Sequence, residues 1–456
     1  MSGSSPRSYG RGAAILSLGI GATGVITFAY FSLASYSLPE DEYGHITLLW
    51  SAVFITVSVL YRPVEQLLSR TIADRDARGV HGSEHLRIAA TIQLALGVLF
   101  AVVALVLRDP IQNDLFGGSS TLYWVLLVSV LAYAASYFAR GYLAGHHQFA
   151  LYGGLVLMEA SSRCLFALAV AIGIAEGQSA VALGMAAAPI VSLAVVPPAL
   201  ARRLAPRVVA PGAVAPGAVA AKPDPALDPE RDPASLDAAA RDEPAAREPE
   251  FTLARGAGFA AAVLLIMLCE QTFLNAGPLL VKATADSGGA ALAGFTFNVL
   301  LIARAPLQLF QAIQTSILPH LTRLRAGGET DPFRRSVNLT LTAIAGFAAC
   351  VALVMLAAGP QLMDLLFGGD FDYERGGLVL VAIGMGLYLC AATLNQALLA
   401  HGLAAHASAC WITAAAGFVL FLLLADFDDP VLQVELAFVG AAALLSAALY
   451  TLYRRA

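Results

Sequence analysis

Residues 44–69 read GHITLLWSAVFITVSVLYRPVEQLLS. As a helix rising 1.5 Å per residue, this stretch is long enough to cross the roughly 30 Å hydrocarbon core of a bilayer. Up to Tyr61 it holds no Asp, Glu, Lys or Arg; Arg62, Pro63 and Glu65 then follow within the same span. An Arg at mid-membrane costs roughly 2.5–3.5 kcal/mol. The stretch is therefore a spanning helix whose charges meet other protein or a wet cavity, not lipid. Pro63 removes one backbone hydrogen bond and bends the chain, which suits a cavity wall.

The same combination recurs along the chain. Glu159, Arg163, Glu270 and Arg304 also fall inside apolar runs. Six such groups facing lipid would cost more than the whole stability margin of a folded protein, about 5–15 kcal/mol. They must pair with one another or line a polar route. The composition agrees with a polytopic membrane protein: 58% of the 456 residues are hydrophobic and 13% charged. Soluble domains are about a quarter charged.

Hydropathy defines twelve spans: 12–34, 44–69, 86–107, 121–144, 149–174, 178–200, 252–281, 289–318, 336–358, 376–400, 405–425 and 431–453. The first is too long for a cleaved signal peptide. With the N-terminus placed in the cytoplasm, 21 basic residues fall on the cytoplasmic side and three outside: Arg108, Lys282 and Arg375. This positive-inside bias predicts cytoplasmic termini. Only two of the 27 basic residues are Lys, and Ala is abundant. Both suit a GC-rich bacterial genome, hence a bacterial plasma membrane. Residues 204–250 contain nine prolines and many acids and bury too little apolar surface to fold. They form a predicted disordered cytoplasmic linker between an N-terminal six-helix lobe (1–203) and a C-terminal one (251–456).

The halves repeat short patterns in the same order. Arg11-Gly12 corresponds to Arg255-Gly256, and Arg62-Pro63 to Arg304-Ala305-Pro306. Asp114-Leu115-Phe116-Gly117-Gly118 corresponds to Asp364-Leu365-Leu366-Phe367-Gly368-Gly369, and Leu143-Ala144-Gly145 to Leu399-Ala400-His401-Gly402. An even number of spans per half gives both halves one orientation. The fold class predicted is thus all-α, with two lobes related by a pseudo-two-fold axis along the membrane normal and a substrate route between them.

Candidate site residues follow from charge and spacing. Arg forks onto phosphate oxygens, so Arg62 and Arg304, one from each half, could clamp an anionic head group. Snorkelling toward the cytoplasmic face is the competing explanation for Arg62. Gln308, Gln311 and Gln314 form a polar stripe beyond Arg304, on the route or between helices. Glu159 and Arg163, spaced i and i+4, are expected to form a self-contained pair. Glu65 is a further cavity charge. Glu270 could protonate, meet Arg304, or bind a coupling cation, Na⁺ or H⁺. No HExxH, CxxC or GxxxxGK[ST] motif is present, so no metal, cofactor or catalytic nucleophile is predicted. Cys164, Cys269, Cys350, Cys390 and Cys410 read as packed thiols.

Several stretches carry a family resemblance: Leu38-Pro39-Glu40-Asp41-Glu42-Tyr43-Gly44, Pro63 through Arg70, Arg140-Gly141-Tyr142-Leu143-Ala144-Gly145, and Arg304 through Pro319. The chain resembles the polysaccharide-exporter branch of the MOP superfamily, which groups O-antigen-type flippases with MATE antiporters. The likeness covers both halves and omits the 204–250 insert. It implies a MATE-like twelve-helix fold, alternating access, and flipping of a polyprenyl-pyrophosphate-linked glycan to the outer leaflet for cell-surface polysaccharide synthesis. Arg62 and Arg304 are the positions that suit contact with the pyrophosphate. The resulting expectation is a transporter, not an enzyme, working with membrane lipids and glycan-assembly proteins and without nucleic acid. A MATE-like drug/cation antiporter is the nearest alternative. A membrane enzyme of glycan assembly is more distant, because the outer loops leave no room for a catalytic domain.

Overall fold

The computed structural model describes residues 6–77, 83–195, 197, 253–285, 288–304, 306, 330–368, 372–425 and 427–455. The helices are α1 (Pro6–Ser37), α2 (Glu40–Leu60), α3 (Arg62–Ala77), α4 (Glu84–Val106), α5 (Ser120–Gly145), α6 (Phe149–Ala171) and α7 (Gly177–Ser192). After the linker come α8 (Leu253–Thr284), α9 (Gly289–Arg304), α10 (Thr330–Phe367), α11 (Arg375–Ala400), α12 (Ala404–Leu424) and α13 (Pro430–Arg455). Among the described residues nine helices are long and apolar enough to cross a membrane, with α2 and α3 counted as one; α7 and α9 are shorter. Each predicted span contains a described helix; most of 196–200 in the sixth span and of 305–318 in the eighth lies outside the described residues. Gln308, Gln311 and Gln314, and the 204–250 linker, lie outside the described residues.

Span two breaks at Tyr61 (φ −107°, ψ −27°), so Pro63 falls in the first turn of α3. There its missing N–H costs the least. Tyr61 still donates to Val57 O and Glu65 to Tyr61 O, both at 2.9 Å, so backbone hydrogen bonding carries across the break. α10 runs on through Pro360 with a kink at Ala358 (φ −140°, ψ 18°). The Asp364–Phe367 motif is the last turn of a helix, whereas its counterpart begins at the end of a π-helical turn (Ile111–Leu115) and leaves it at Phe116. Side-chain caps fix two helix starts: Ser119 Oγ accepts from Leu122 N, and Asp429 Oδ1 accepts from Val431 N at 2.8 Å.

Packing repeats across the two halves. α1 packs on α6 as α8 packs on α12; α4 on α5 as α10 on α11; α5 on α7 as α11 on α13; α6 on α7 as α12 on α13. The helices paired are the same by position in each half. α4 and α10, again counterparts, turn most of their apolar side chains outward, Leu94, Val98 and Leu99 on one and Leu339, Leu353 and Leu356 on the other. In a membrane protein those faces meet lipid. Cys350 on α10 is likewise exposed, not packed as the sequence suggested; all five thiols are free.

The halves meet along α2–α8 and α1–α10, and at the predicted outer end they touch backbone to backbone. A Cβ added to Gly44 would lie 1.8 Å from the carbonyl oxygen of Ala290. Around this contact, Ser35 Oγ donates to Phe367 O (2.5 Å) and Tyr36 OH to Leu365 O (2.8 Å). Tyr43 OH donates to Asn298 Oδ1, and Asn298 Nδ2 donates to Tyr373 OH at 3.1 Å. Beneath this seam lies a layer of rings: Phe28 with Phe367 (centroids 5.2 Å apart), Phe31 with Phe297 (4.5 Å) and Phe31 with Trp50 (4.8 Å).

Candidate functional site

Below the ring layer a cavity of about 380 Å³ opens between the halves. α1 contributes Thr23 and Thr27; α2 gives Trp50, Phe54 and Ser58; α3 gives Arg62, Glu65 and Gln66. α5 adds Tyr137 and Arg140, α6 adds Tyr152, Glu159 and Arg163, and the second half supplies Gln271, Asn275 and Arg304. Four guanidinium groups therefore share the wall with two carboxylates, an excess of two positive charges. Such an excess in a partly desolvated space attracts anions and repels cations.

The groups are held differently. Arg304 is 8% exposed and lies over the Phe297 ring, 4.2 Å from its centroid. It donates to Leu274 O and, at 3.2 Å, to Asn275 Oδ1, while its Nε is buried without a partner. No carboxylate pairs with it among the described residues. Asn275 is oriented in turn by Gln271, whose Oε1 accepts from Asn275 Nδ2 at 3.1 Å. Arg62 is half-buried and makes no hydrogen bond among the described residues. Its charge neighbours include Glu270 and Glu65. Glu270 thus stands near Arg62 and Tyr388 and not against Arg304, one of the arrangements foreseen for it.

The expected pair of Glu159 with Arg163 does not form. Glu159, buried on α6, instead accepts from Arg140 Nη2 and Ser136 Oγ on α5 and from Ser192 Oγ on α7 (3.3 Å). Arg163 Nη1 donates to Tyr133 OH at 2.7 Å, and the guanidinium lies 5.1 Å from the Trp50 ring and 5.6 Å from that of Phe54. The physical reason is α5. Tyr133, Ser136, Tyr137 and Arg140 recur at i, i+3, i+4 and i+7, so one polar face of α5 presents itself to α6. From its place near the cytoplasmic end of its span Arg140 reads as one of the 21 cytoplasmic charges, yet it belongs to the cavity wall. Glu65 accepts from Tyr152 OH at 2.9 Å, a tyrosine with no signal in its own segment. Among the described residues no three His, Cys, Asp or Glu side chains converge as a metal site would require.

No family model matches the chain, and no curated protein matches it. Solved structures do. The inward-facing conformation of a multidrug resistance MATE family transporter of the MOP superfamily matches with a TM-score of 0.65 at 12% identity, covering 97% of both chains. An outward-facing conformation of such a transporter gives 0.59 at 12% identity, over 97% of this chain and 95% of that one. The Vibrio cholerae MATE transporter VcmN in the bent form gives 0.56 at 16% identity, over 98% of each chain. The fold is accordingly the MATE-like transporter fold, multi-pass and, among the described residues, all-helical.

Proposed function

We propose that this protein is a membrane transporter working by alternating access, and that its cargo carries an anionic head group. The positive-inside distribution supports a cytoplasmic opening for the cavity and cytoplasmic termini. The seam around Gly44 supports an inward-open state, closed on the outer side. The structural likenesses are to MATE transporters, two of them to multidrug resistance ones, and favour a MATE-like antiporter over the glycan flippase. They speak for no lipid-linked glycan. The wall chemistry favours an anion, since four arginines against two glutamates repel a cationic drug. That charge excess is the observation carrying the proposal. With the resemblance of the sequence to polysaccharide exporters, it favours a polyprenyl-pyrophosphate glycan, its head group in the cavity and its tail in lipid. Arg62 and Arg304, free of carboxylate hydrogen bonds among the described residues, would meet the phosphates; no chemical bond is made or broken.

One reconstitution separates the cargo classes. Proteoliposomes holding wild type or Arg304→Ala receive a fluorescent polyprenyl-diphosphate sugar, and a membrane-impermeant quencher reads leaflet exposure. A parallel set is scored for ethidium transport under a Na⁺ or pH gradient. The expected result is flipping by wild type, slower by about tenfold in Arg304→Ala, as for the loss of one charge-assisted contact, and no ethidium transport. Ethidium movement without flipping would make the protein a drug antiporter.

A further inference from the structure

Arg140 lines the cavity, yet it is already paired. Its Nη2 donates to Glu159 Oε2, while among the described residues its buried Nε has no partner and its Nη1 makes no hydrogen bond. The guanidinium also lies 4.6 Å from the centroid of the Tyr137 ring. One nitrogen and one ring face thus hold the side chain, and donor capacity remains. Glu159 is 2% exposed and also takes Ser136 and Ser192. A glutamine there could accept from Arg140 and satisfy both hydroxyls with the same shape. Packing and hydrogen bonding therefore do not explain why this position is charged.

The cargo problem explains it. A transporter must bind firmly enough to load and weakly enough to release. Without Glu159 the four arginines of the wall would face only Glu65 in the lining, and a pyrophosphate would leave them more slowly. We infer that Glu159 is a positioning residue and a built-in competitor, holding Arg140 in the wall of the empty cavity and lowering its attraction for the anionic head group so that the cargo can leave. This rests on the cargo being an anion. Its signature is a carboxylate whose neutralisation improves binding and slows turnover, the reverse of what loss of a cargo ligand or of a structural prop would do.

The test uses the full-length protein in detergent, with farnesyl diphosphate as the probe and farnesol as its neutral control. Glu159→Gln is expected to bind the diphosphate roughly three- to tenfold more tightly than wild type, with dissociation slowed by a similar factor. In an Arg140→Gln background the same substitution is expected to give a clearly smaller gain, only that of removing one negative charge from the wall. Glu159→Asp keeps the charge but draws it back from Arg140, and about twofold tighter binding is expected. It also serves if Glu159→Gln does not fold, since unchanged or weaker binding in Glu159→Asp then overturns the inference. Unchanged or weaker binding in folded Glu159→Gln overturns it, as does a gain that is undiminished without Arg140. Wild type binding the diphosphate no better than farnesol is a different failure: the anionic cargo itself is then wrong, and the inference falls with it.

Discussion

At the scale of single residues, the cavity shows charges held by unlike means. Arg163 is restrained by a phenol and two ring faces, Arg140 by a carboxylate, and Arg304 by a carbonyl, an amide and one ring. Tyr133→Phe removes the hydrogen bond to Arg163 and leaves a partly desolvated guanidinium short of an acceptor. It should lower stability by about 1.5–3 kcal/mol, read as a fall in Tm in detergent. An unchanged Tm would mean that Trp50 and Phe54 suffice to hold Arg163. Arg62, Arg163 and Arg304 were legible in the sequence because a charge inside an apolar run is expensive wherever it occurs. Arg140 was not, because it stands five residues before the end of its helix, where snorkelling explains a cation equally well. The Glu159–Arg163 pairing was misjudged because i, i+4 spacing only permits a contact. Partners on a neighbouring helix decide whether it forms, and one span carries no information about its neighbour.

At the scale of the helix, the spans were legible and their interruptions less so. Length and hydropathy locate a spanning helix because the bilayer sets a minimum apolar length. They say little about a kink at Ala358, or about a proline in a first turn instead of an interior one. Close approach of helices is similarly hidden until the backbone is seen. Gly44 on α2 faces Ala290 and Gly294 on α9 with no room for a methyl group, because the obstructing atoms are backbone. Gly44→Ala should therefore prise α2 from α9 at the predicted outer end. In a variant with the native cysteines replaced, a cysteine at position 298 should become reactive to an impermeant maleimide in Gly44→Ala and stay protected with Gly44. Equal protection in both would show that the helices yield without opening.

At the scale of the whole molecule, four weak sequence matches between the halves foretold a repeat, and the pairing of helices now carries it: counterparts touch counterparts from α1–α6 and α8–α12 onward. The cavity between the halves follows from that symmetry, whereas the end at which the halves touch depends on contacts that only the folded chain brings together. If closure of the seam alternates with closure at the opposite end, a reducible thiol cross-linker between Tyr36→Cys and Leu365→Cys should stop transport in the same cysteine-replaced variant, and reduction should restore it. Transport that continues under the cross-link would exclude opening at this seam. The rings of Phe28, Phe31, Phe297 and Phe367 have one more consequence, an electrical one. A water-filled cavity carries the potential of its own solution down to its floor, so the transmembrane voltage falls across the thin aromatic layer and not across the full bilayer. Arg163 and Arg304 sit at the edge of that concentrated field. Switching access moves the layer to their other side, and each charge that changes sides is worth about 2.3 kcal/mol per 100 mV. For the transporter proposed above, with its cavity facing the cytoplasm, an energised membrane would by that route favour the inward-open state.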